Sequence, residues 1–380
     1  MEITEIEPIF ADRYLFVRIH TDEGITGLGE SGTWGFLEAS AGALETFERY
    51  LIGKNPLDIE HHWQACYRNA HFRGAAIMGA LSAIDIALWD IAGKYHDVPV
   101  YRLLGGPTRH KARVYAHVFG ETSEELVAGC KLAKEQGFTA VGHLNPLGDE
   151  PRSEPYERTH AEEIEMATER VAEFRDAVGS GVDLCIEIHR RLDPEEAIAL
   201  GRAIESFHPL FFEDPTRPDN FDAMARIARA IDIPIATGER LHTTHEFEML
   251  LARDAVDFVR PDVCMVGGLS HAKKIASLAE AHYAKVVPHN PLSPVSTAAC
   301  LQLAAAIPNF AIQEYPYTQD GGEPGREFLI EPLERDGGYL RVPDTPGIGV
   351  ALDEEAIEEH PYEPRSVVTR QHADGSIVDM

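Results

Sequence analysis

Lysine is scarce in this 380-residue sequence, and cysteine occurs without any pairing pattern. Only eight of the 34 basic residues are lysine, while 63 residues are Asp or Glu, so the formal net charge is −29. An acid excess of this size argues against nucleic acid or an anionic membrane as a partner, because both bind basic surfaces. The five cysteines include no CxxC pair, which is typical of reduced thiols in a cytoplasm.

The sequence also shows no pattern that predicts a targeting or membrane segment. The first six residues, Met1–Ile6, lack the basic and apolar regions of a signal peptide. We expect no apolar stretch close to the roughly 20 residues that cross a bilayer. These observations predict a cytoplasmic protein. The lysine-poor, acid-rich composition favours a halophilic source, because molar salt shortens the range of self-repulsion; an ordinary acidic mesophile is the alternative.

Hydrophobic periodicity and turn residues divide the chain into three predicted parts. Residues 1–111 show strands followed by helices, which indicates an α+β domain. Residues 112–325 alternate strands with helices, and residues 326–380 contain only short strand patterns. The predicted strands of the first part cover Ile3–Phe10, Arg13–Thr21 and Thr26–Glu30, and its predicted helices cover 36–52, 58–70 and Gly74–Tyr95.

Six polar residues each end a short apolar run at nearly constant spacing. They are Glu187, Glu213, Glu239, Asp262, His289 and Glu314, and the gaps between them are 26, 26, 23, 27 and 25 residues. A short strand with a crossover helix and two loops needs about that length. The repeat therefore predicts one βα unit per interval, with a polar residue at each strand end.

Two earlier strands, ending near residues 118 and 144, bring the number of predicted strand ends to eight. Eight parallel strands make one closed barrel, and the strand ends converge on its C-terminal mouth, where barrel enzymes have their active sites. The predicted fold is thus α/β, a (β/α) TIM-type barrel with an N-terminal α+β capping domain. We expect the C-terminal segment to pack back on the capping domain and complete it.

Glu187, Glu213 and Glu239 end consecutive strands and form a predicted metal site. Three carboxylates are an all-oxygen ligand set, which hard cations prefer. Mg²⁺, one per subunit, is the favoured ion because it keeps waters and shares its coordination with substrate; Mn²⁺ is the alternative.

The next two strands carry a predicted acid–base pair. A carboxylate such as Asp262 orients an imidazole and stabilises its protonated form, which makes His289 a candidate general base. We expect the metal and this base on opposite sides of the mouth, with a small substrate between them. His189 follows Glu187 by two residues, and strand alternation would turn both inward, which makes His189 a candidate acid.

This set of groups predicts a particular reaction. His289 would remove the proton α to a metal-bound carboxylate, and the metal would stabilise the enediolate. His189 would then protonate a β-hydroxyl, so that water is eliminated. An epimerase, in which His189 returns the proton to the α carbon, is one alternative. A protein that binds the substrate without turnover is the other.

Six short motifs surround the strand-end residues: Glu187-Ile188-His189-Arg190, Phe212-Glu213-Asp214-Pro215, Thr237-Gly238-Glu239-Arg240, Arg260-Pro261-Asp262, Pro288-His289-Asn290-Pro291 and Ile312-Gln313-Glu314. Through these motifs the chain resembles the enolase superfamily over essentially its whole length. Within that superfamily it is similar to the sugar-acid dehydratases of the mandelate racemase branch, the galactonate dehydratases above all. The resemblance implies a Mg²⁺-dependent hydro-lyase that acts on an aldonate as a homo-oligomer, from dimer to octamer, with a sugar-acid epimerase or a sugar-acid-binding protein without turnover as the alternatives. It also implies that Thr21–Trp34 and the segment near Arg73 close over the substrate.

Two positions depart from the family pattern. Related enzymes commonly have a lysine where this chain has His143, which argues against lysine-based racemase chemistry. His143 either binds the substrate carboxylate or takes no part, and the sequence leaves both open. At Glu187 related dehydratases frequently have Asp. The candidate substrate contacts are Asn145, His143, Glu314, Arg240 and Arg73.

Overall fold

The computed structural model describes residues 1–120, 122–148, 155–317 and 322–378. The first part of the chain is a sheet covered by helices. The sheet is antiparallel in the order β1-β2-β3. Each predicted element of this part lies within one residue of the observed bounds. The elements are β1 (Ile3–Ala11), β2 (Tyr14–Thr21), β3 (Thr26–Ser31), α1 (Leu37–Leu51), α2 (Ile59–Asn69), α3 (Ala75–Tyr95) and the short α4 (Val100–Leu103).

Helix α3 is the core helix of this capping domain. It is 21 residues long with a mean hydropathy of 1.6, enough to cross a membrane by length and composition alone. The expectation that no stretch approaches that length was therefore wrong. Of its most apolar window, 78% is buried inside the protein, because β3 lies directly on it. A Cβ atom on Gly29 would be 2.1 Å from the carbonyl oxygen of Ala83 in α3; only glycine permits this approach.

In the described part of the chain, eight parallel strands form the barrel, and a helix lies between each strand and the next. The strands β4 to β10 pair in sequence order, and β11 pairs with β4. A bridge between Val286 and Phe310 closes the other side. The strands are β4 (Lys111–His117), β5 (Ala140–Leu144), β6 (Asp183–Glu187), β7 (Phe211–Glu213), β8 (Ile235–Thr237), β9 (Phe258–Val259), β10 (Lys285–Val286) and β11 (Gln313–Tyr315). The helices are α5 (Ser123–Glu135), α6 (His160–Val178), α7 (Pro194–Ile204), α8 (Phe221–Ala228), α9 (Thr244–Leu251), α10 (Gly268–Ala281) and α11 (Pro294–Ala306).

Three of the six periodic polar residues lie just beyond their strands rather than at the last strand position. Glu239 follows the end of β8 by two residues, and Asp262 and His289 follow β9 and β10 by three. Proline precedes both Asp262 and His289. Since proline has no N–H to donate, the strand ladder cannot continue through it. Asp262 and His289 nevertheless form a parallel bridge with each other.

The C-terminal segment contacts both other parts of the chain. It contains β12 (Arg335–Asp336), β13 (Tyr339–Arg341) and α12 (Glu354–Glu359). Strand β13 pairs antiparallel with β4 of the barrel. Towards the capping domain, the Ile348 amide donates to Asp90 Oδ1 at 2.8 Å and the Asp12 amide donates to the His360 carbonyl at 2.9 Å. The boundaries at 111 and 325 stay predictions.

Two buried carboxylates of the capping domain bind the first turns of barrel helices. Glu30, in β3, accepts hydrogen bonds from the Ser293 and Ser296 amides at the start of α11. Asp85, in α3, accepts from the Ser270 amide at the start of α10. A negative group is favourable there because the amides of a first helical turn lack partners within the helix. The capping domain is thus fixed to the two helices that follow Asp262 and His289 in the chain.

Candidate active site

A layer of inward-facing side chains fills the barrel below its mouth. Each barrel strand or its extension contributes one residue: Tyr115, Ala140, Cys185, Phe211, Ala236, Phe258, Val287 and Ile312. Side chains two positions apart on a strand share a face. The residues two positions further on therefore face inward above this layer. Two of these eight positions are glycine, Gly142 and Gly238, and the others are His117, Glu187, Glu213, Arg260, His289 and Glu314.

The three predicted metal ligands come together. Each of Glu187, Glu213 and Glu239 offers an oxygen, and these three oxygens lie within 4.8 Å of one another. All three side chains are at most 8% exposed. Burial raises the pKa of Glu213 well above its ordinary value against the pull of Arg260, and the neighbouring Glu187 adds to the rise.

Glu213 shows why a cation fits this position. Its Oε1 atom is buried and has no hydrogen-bond partner among the described residues. Its Oε2 atom accepts from Arg260 at 2.5 Å. A buried carboxylate oxygen without a partner carries a desolvation cost that a bound cation removes. The donor set is all oxygen, as a hard divalent ion prefers.

Asp262 and His289 form the predicted pair. Nδ1 of His289 lies 2.8 Å from Asp262 Oδ2, and Asp262 Oδ1 accepts the Cys264 amide at 2.8 Å. With Nδ1 facing the carboxylate, Nε2 of the imidazole is the nitrogen turned towards the mouth. Burial alone would lower the pKa of His289, but Glu239, Glu314 and Asp262 outweigh it and raise the pKa to about 9.

The expected separation of metal and base concerns the position of an ion and stays a prediction. Nε2 of His289 lies 3.4 Å from Glu239 Oε2. The base therefore borders the three carboxylates directly, at the Glu239 end.

His189 borders the same three carboxylates at the other end. Its Nε2 atom lies 2.7 Å from Glu187 Oε1. Strand alternation, however, was the wrong reason for this position. Strand β6 ends at Glu187, and His189 lies in the turn that follows, in the left-handed region with φ of 51°. Such a φ is uncommon outside glycine.

His143 also contacts Glu187, from the neighbouring strand β5. Its Nδ1 atom lies 3.0 Å from Glu187 Oε2, and its own φ is 57°. Burial alone would raise the pKa of Glu187, but His189 and His143 outweigh it and hold the pKa well below the ordinary value. One imidazole thus lies beside each oxygen of Glu187.

Asn145 follows the end of β5, and its side chain is buried. Its Oδ1 atom accepts the Leu147 amide at 2.9 Å. Its Nδ2 atom is buried without a hydrogen-bond partner among the residues described. An amide donor in that position is available to an oxygen of a bound molecule.

Both carboxylate oxygens of Glu314 have protein partners. Its Oε1 atom lies 2.7 Å from His117 Nε2, and its Oε2 atom accepts from Arg260 and from the Asn290 amide. Arg260 is 1% exposed and also donates to Glu213, so it links the two carboxylates. Arg260 and the two ion-paired carboxylates thus form the floor of the site.

Sequence reasoning missed three residues of this site, His117, Arg190 and Arg260, as functional groups. His117 was detectable, because it ends the first barrel strand as the other polar residues end theirs. Arg190 donates to Glu239 Oε1 at 3.3 Å and has a φ of 67°. Arg260 was also detectable, because it lies two positions after Phe258 and the same alternation turns it inward.

The two predicted arginine contacts differ in position. Arg240 reaches the site, with Nε 2.9 Å from Glu239 Oε1. Arg73 is exposed between α2 and α3, with its guanidinium 4.0 Å from the Tyr67 ring, and its recorded contacts are within the capping domain. Of the predicted closing segment Thr21–Trp34, six residues form β3. After β3, the Gly32 amide donates to the Cys264 carbonyl at 3.0 Å.

Known proteins are similar to this chain over its full length. Residues 5–105 match the family "Mandelate racemase / muconate lactonizing enzyme, N-terminal domain", and residues 125–356 match "Enolase C-terminal domain-like". The chain is 36% identical to a D-galactonate dehydratase of Ralstonia pickettii (strain 12J), over 97% of this chain and 96% of that protein. It is 36% identical to a D-galactonate dehydratase of Variovorax paradoxus (strain S110), over 100% of both. The crystal structure of an enolase of Agrobacterium radiobacter with bound sodium and L-malate superposes with a TM-score of 0.92, at 31% identity over 100% of both chains.

Proposed function

We propose that this chain, which belongs to the mandelate racemase and muconate lactonizing enzyme group of the enolase superfamily, is a metal-dependent sugar-acid dehydratase. It would remove the C2 proton of an aldonate and eliminate the 3-hydroxyl, which yields a 2-keto-3-deoxy acid. One observation carries the proposal. Two imidazoles border the same three carboxylates, His289 at Glu239 and His189 at Glu187.

Glu187, Glu213 and Glu239 would hold the cation, and we propose Mg²⁺, one per subunit, with Mn²⁺ as the alternative. When bound, it supplies electrostatic stabilisation for the charge that develops on the substrate carboxylate. The partnerless Oε1 atom of Glu213 supports this role.

The protein's own groups then divide the proton transfers. His289 takes the C2 proton on Nε2, while Asp262 fixes the ring through Nδ1 and stabilises the imidazolium. His189 gives a proton to the departing 3-hydroxyl. Two groups with separate targets give net loss of water, whereas return of a proton to C2 would give epimerisation.

D-Galactonate is the first substrate to test, because the relatives at 36% identity are D-galactonate dehydratases. Gluconate, xylonate, arabinonate and mannonate differ from it in length or hydroxyl configuration and are the alternatives. We propose Asn145, through its partnerless Nδ2 atom, and Arg240 as contacts to the substrate. His143, Arg73 and Glu314 remain candidates of the same kind, although both oxygens of Glu314 have protein partners.

The experiment is a screen of an aldonate library with Mg²⁺ at low and at molar salt. A dehydratase produces a 2-keto acid that semicarbazide detects; an epimerase yields a new aldonate and no 2-keto acid. Metal-dependent thermal stabilisation with no product from any aldonate would indicate a binding protein instead. Glu213→Gln should abolish product formation, whereas the exposed surface variant Glu45→Gln should match the unmodified protein.

The same screen tests two further proposals about the working environment. Activity and stability that increase into molar salt would support a halophilic source, since the charge of −29 repels itself least where salt screens it. We also propose that the enzyme acts in the cytoplasm as a homo-oligomer, from dimer to octamer. Light scattering of the active sample measures the subunit number.

A further inference from the structure

A second group of ligand atoms lies beside the three carboxylates. His143, Glu187 and His189 each offer one atom, and these atoms lie within 4.8 Å of one another. Glu187 belongs to both groups. The two groups differ in chemistry, because two ligands of the second are imidazole nitrogens.

We propose that His143, Glu187 and His189 form a separate cation site that selects Zn²⁺ or a similar borderline metal ion over Mg²⁺. Imidazole nitrogen with carboxylate oxygen is the donor set that Zn²⁺ prefers, whereas Mg²⁺ takes oxygen. Three protein ligands leave a fourth position for water, as in open zinc sites.

The geometry suits such an ion. Ligands held at about 2.0–2.2 Å from Zn²⁺ are roughly 3.4 Å apart. The contacts already in place, 2.7 Å from Glu187 to His189 and 3.0 Å to His143, are shorter than that. The three ligand atoms, all within 4.8 Å of one another, therefore need to move apart only slightly to hold the ion.

The two histidines are held in place by backbone and by ring packing. Both have left-handed φ angles, 57° at His143 and 51° at His189. The His143 ring stacks on His117 at 4.9 Å and meets the His189 ring edge-on at 4.8 Å. Their side chains are 28% and 27% exposed, so an ion from solvent can reach both.

The consequence for catalysis rests on the proposed function. An ion on Nε2 of His189 occupies the nitrogen that would protonate the leaving hydroxyl. Zn²⁺ would therefore inhibit the dehydratase even though Mg²⁺ activates it, and His143 would determine the sensitivity.

Cobalt binding tests the site without any turnover. In metal-stripped protein, Co²⁺ bound by two imidazoles in four- or five-coordinate geometry absorbs visible light strongly, whereas octahedral Co²⁺ bound by oxygen absorbs weakly. We expect strong absorption that saturates at one equivalent of Co²⁺. Added Zn²⁺ should displace the Co²⁺ and abolish this absorption. The matched variants are His143→Gln, which removes a ligand of this site only, and Glu239→Gln, which removes a ligand of the carboxylate site only.

We expect His143→Gln to lose the strong absorption and to weaken Zn²⁺ binding at least about tenfold in calorimetry. Glu239→Gln and the exposed variant His96→Gln should keep the strong absorption and the Zn²⁺ affinity of the unmodified protein. Unchanged Zn²⁺ affinity in a folded His143→Gln protein, or loss of the absorption in Glu239→Gln alone, would overturn the proposal. If His143→Gln does not fold, His189→Gln replaces it with the same expectations. None of these results depends on which reaction the enzyme catalyses.

Discussion

The Nε2 atom of His289 lies 3.4 Å from the Oε2 atom of Glu239, so the proposed base and the proposed metal site are one electrostatic unit. The charge on Glu239 favours the imidazolium form of His289, and the imidazolium favours ionised Glu239. A cation on the carboxylates would weaken that mutual support.

The pKa of His289 provides a direct measurement of this coupling. It is raised to about 9 by Glu239, Glu314 and Asp262, against the effect of burial. We expect NMR of the metal-free protein to show an imidazole titrating near that pH, identified by its loss in His289→Gln. Added Mg²⁺ should lower this pKa, because the cation neutralises Glu239 and repels a proton on His289. An unchanged pKa would place the cation elsewhere.

The strand-end pattern predicted much of the site because it depends on local physics. Apolar runs that end in a polar residue at a 25-residue rhythm identify barrel strands, and parallel strands bring their ends together. Glu187 and Glu213 follow from this rule alone. Glu239, Asp262 and His289 follow from it approximately, since they lie beyond their strands.

Other features depend on tertiary contacts that one sequence does not show. The 3.4 Å approach of His289 to Glu239 depends on the width of the mouth. The left-handed backbone of His189 depends on the turn after β6. In the sequence, Arg260 interrupts an apolar run, and only the structure shows that it binds the carboxylates of Glu213 and Glu314. Likewise, α3 was not expected to reach membrane-spanning length, and only its packing in the capping domain shows why it is apolar.

Ionisation of the buried Glu30 should lower the free energy of unfolding as the pH rises above about 5. Burial raises its pKa to about 7, against the hydrogen bonds from Ser293 and Ser296. Between its ordinary pKa and 7, the folded state keeps a proton that the unfolded state has lost, so stability decreases with pH by up to roughly 3 kcal/mol. Glu30→Gln should flatten that part of the Tm-against-pH curve. Identical curves for the two proteins would show that Glu30 does not titrate in this range.

Gly29 should be irreplaceable at the contact between β3 and α3. A Cβ atom there would be 2.1 Å from the Ala83 carbonyl oxygen, whereas a Cβ atom at Gly42 in α1 would meet nothing within 4 Å. We expect Gly29→Ala to lower the free energy of unfolding by about 1–3 kcal/mol or more. Gly42→Ala should raise it by up to about 1 kcal/mol, because alanine favours the helix. Equal effects in urea unfolding would contradict this packing.

The division of labour between the two histidines is tested most directly by exchange of the substrate C2 proton in D₂O. With Mg²⁺ and the aldonate that the screen identifies, His189→Gln should still incorporate deuterium at C2 while 2-keto acid formation falls by about 10²–10⁴-fold. His289→Ala should neither incorporate deuterium at C2 nor form the 2-keto acid. Deuterium incorporation by His289→Ala at the rate of the unmodified protein would contradict the assignment of His289 as the base.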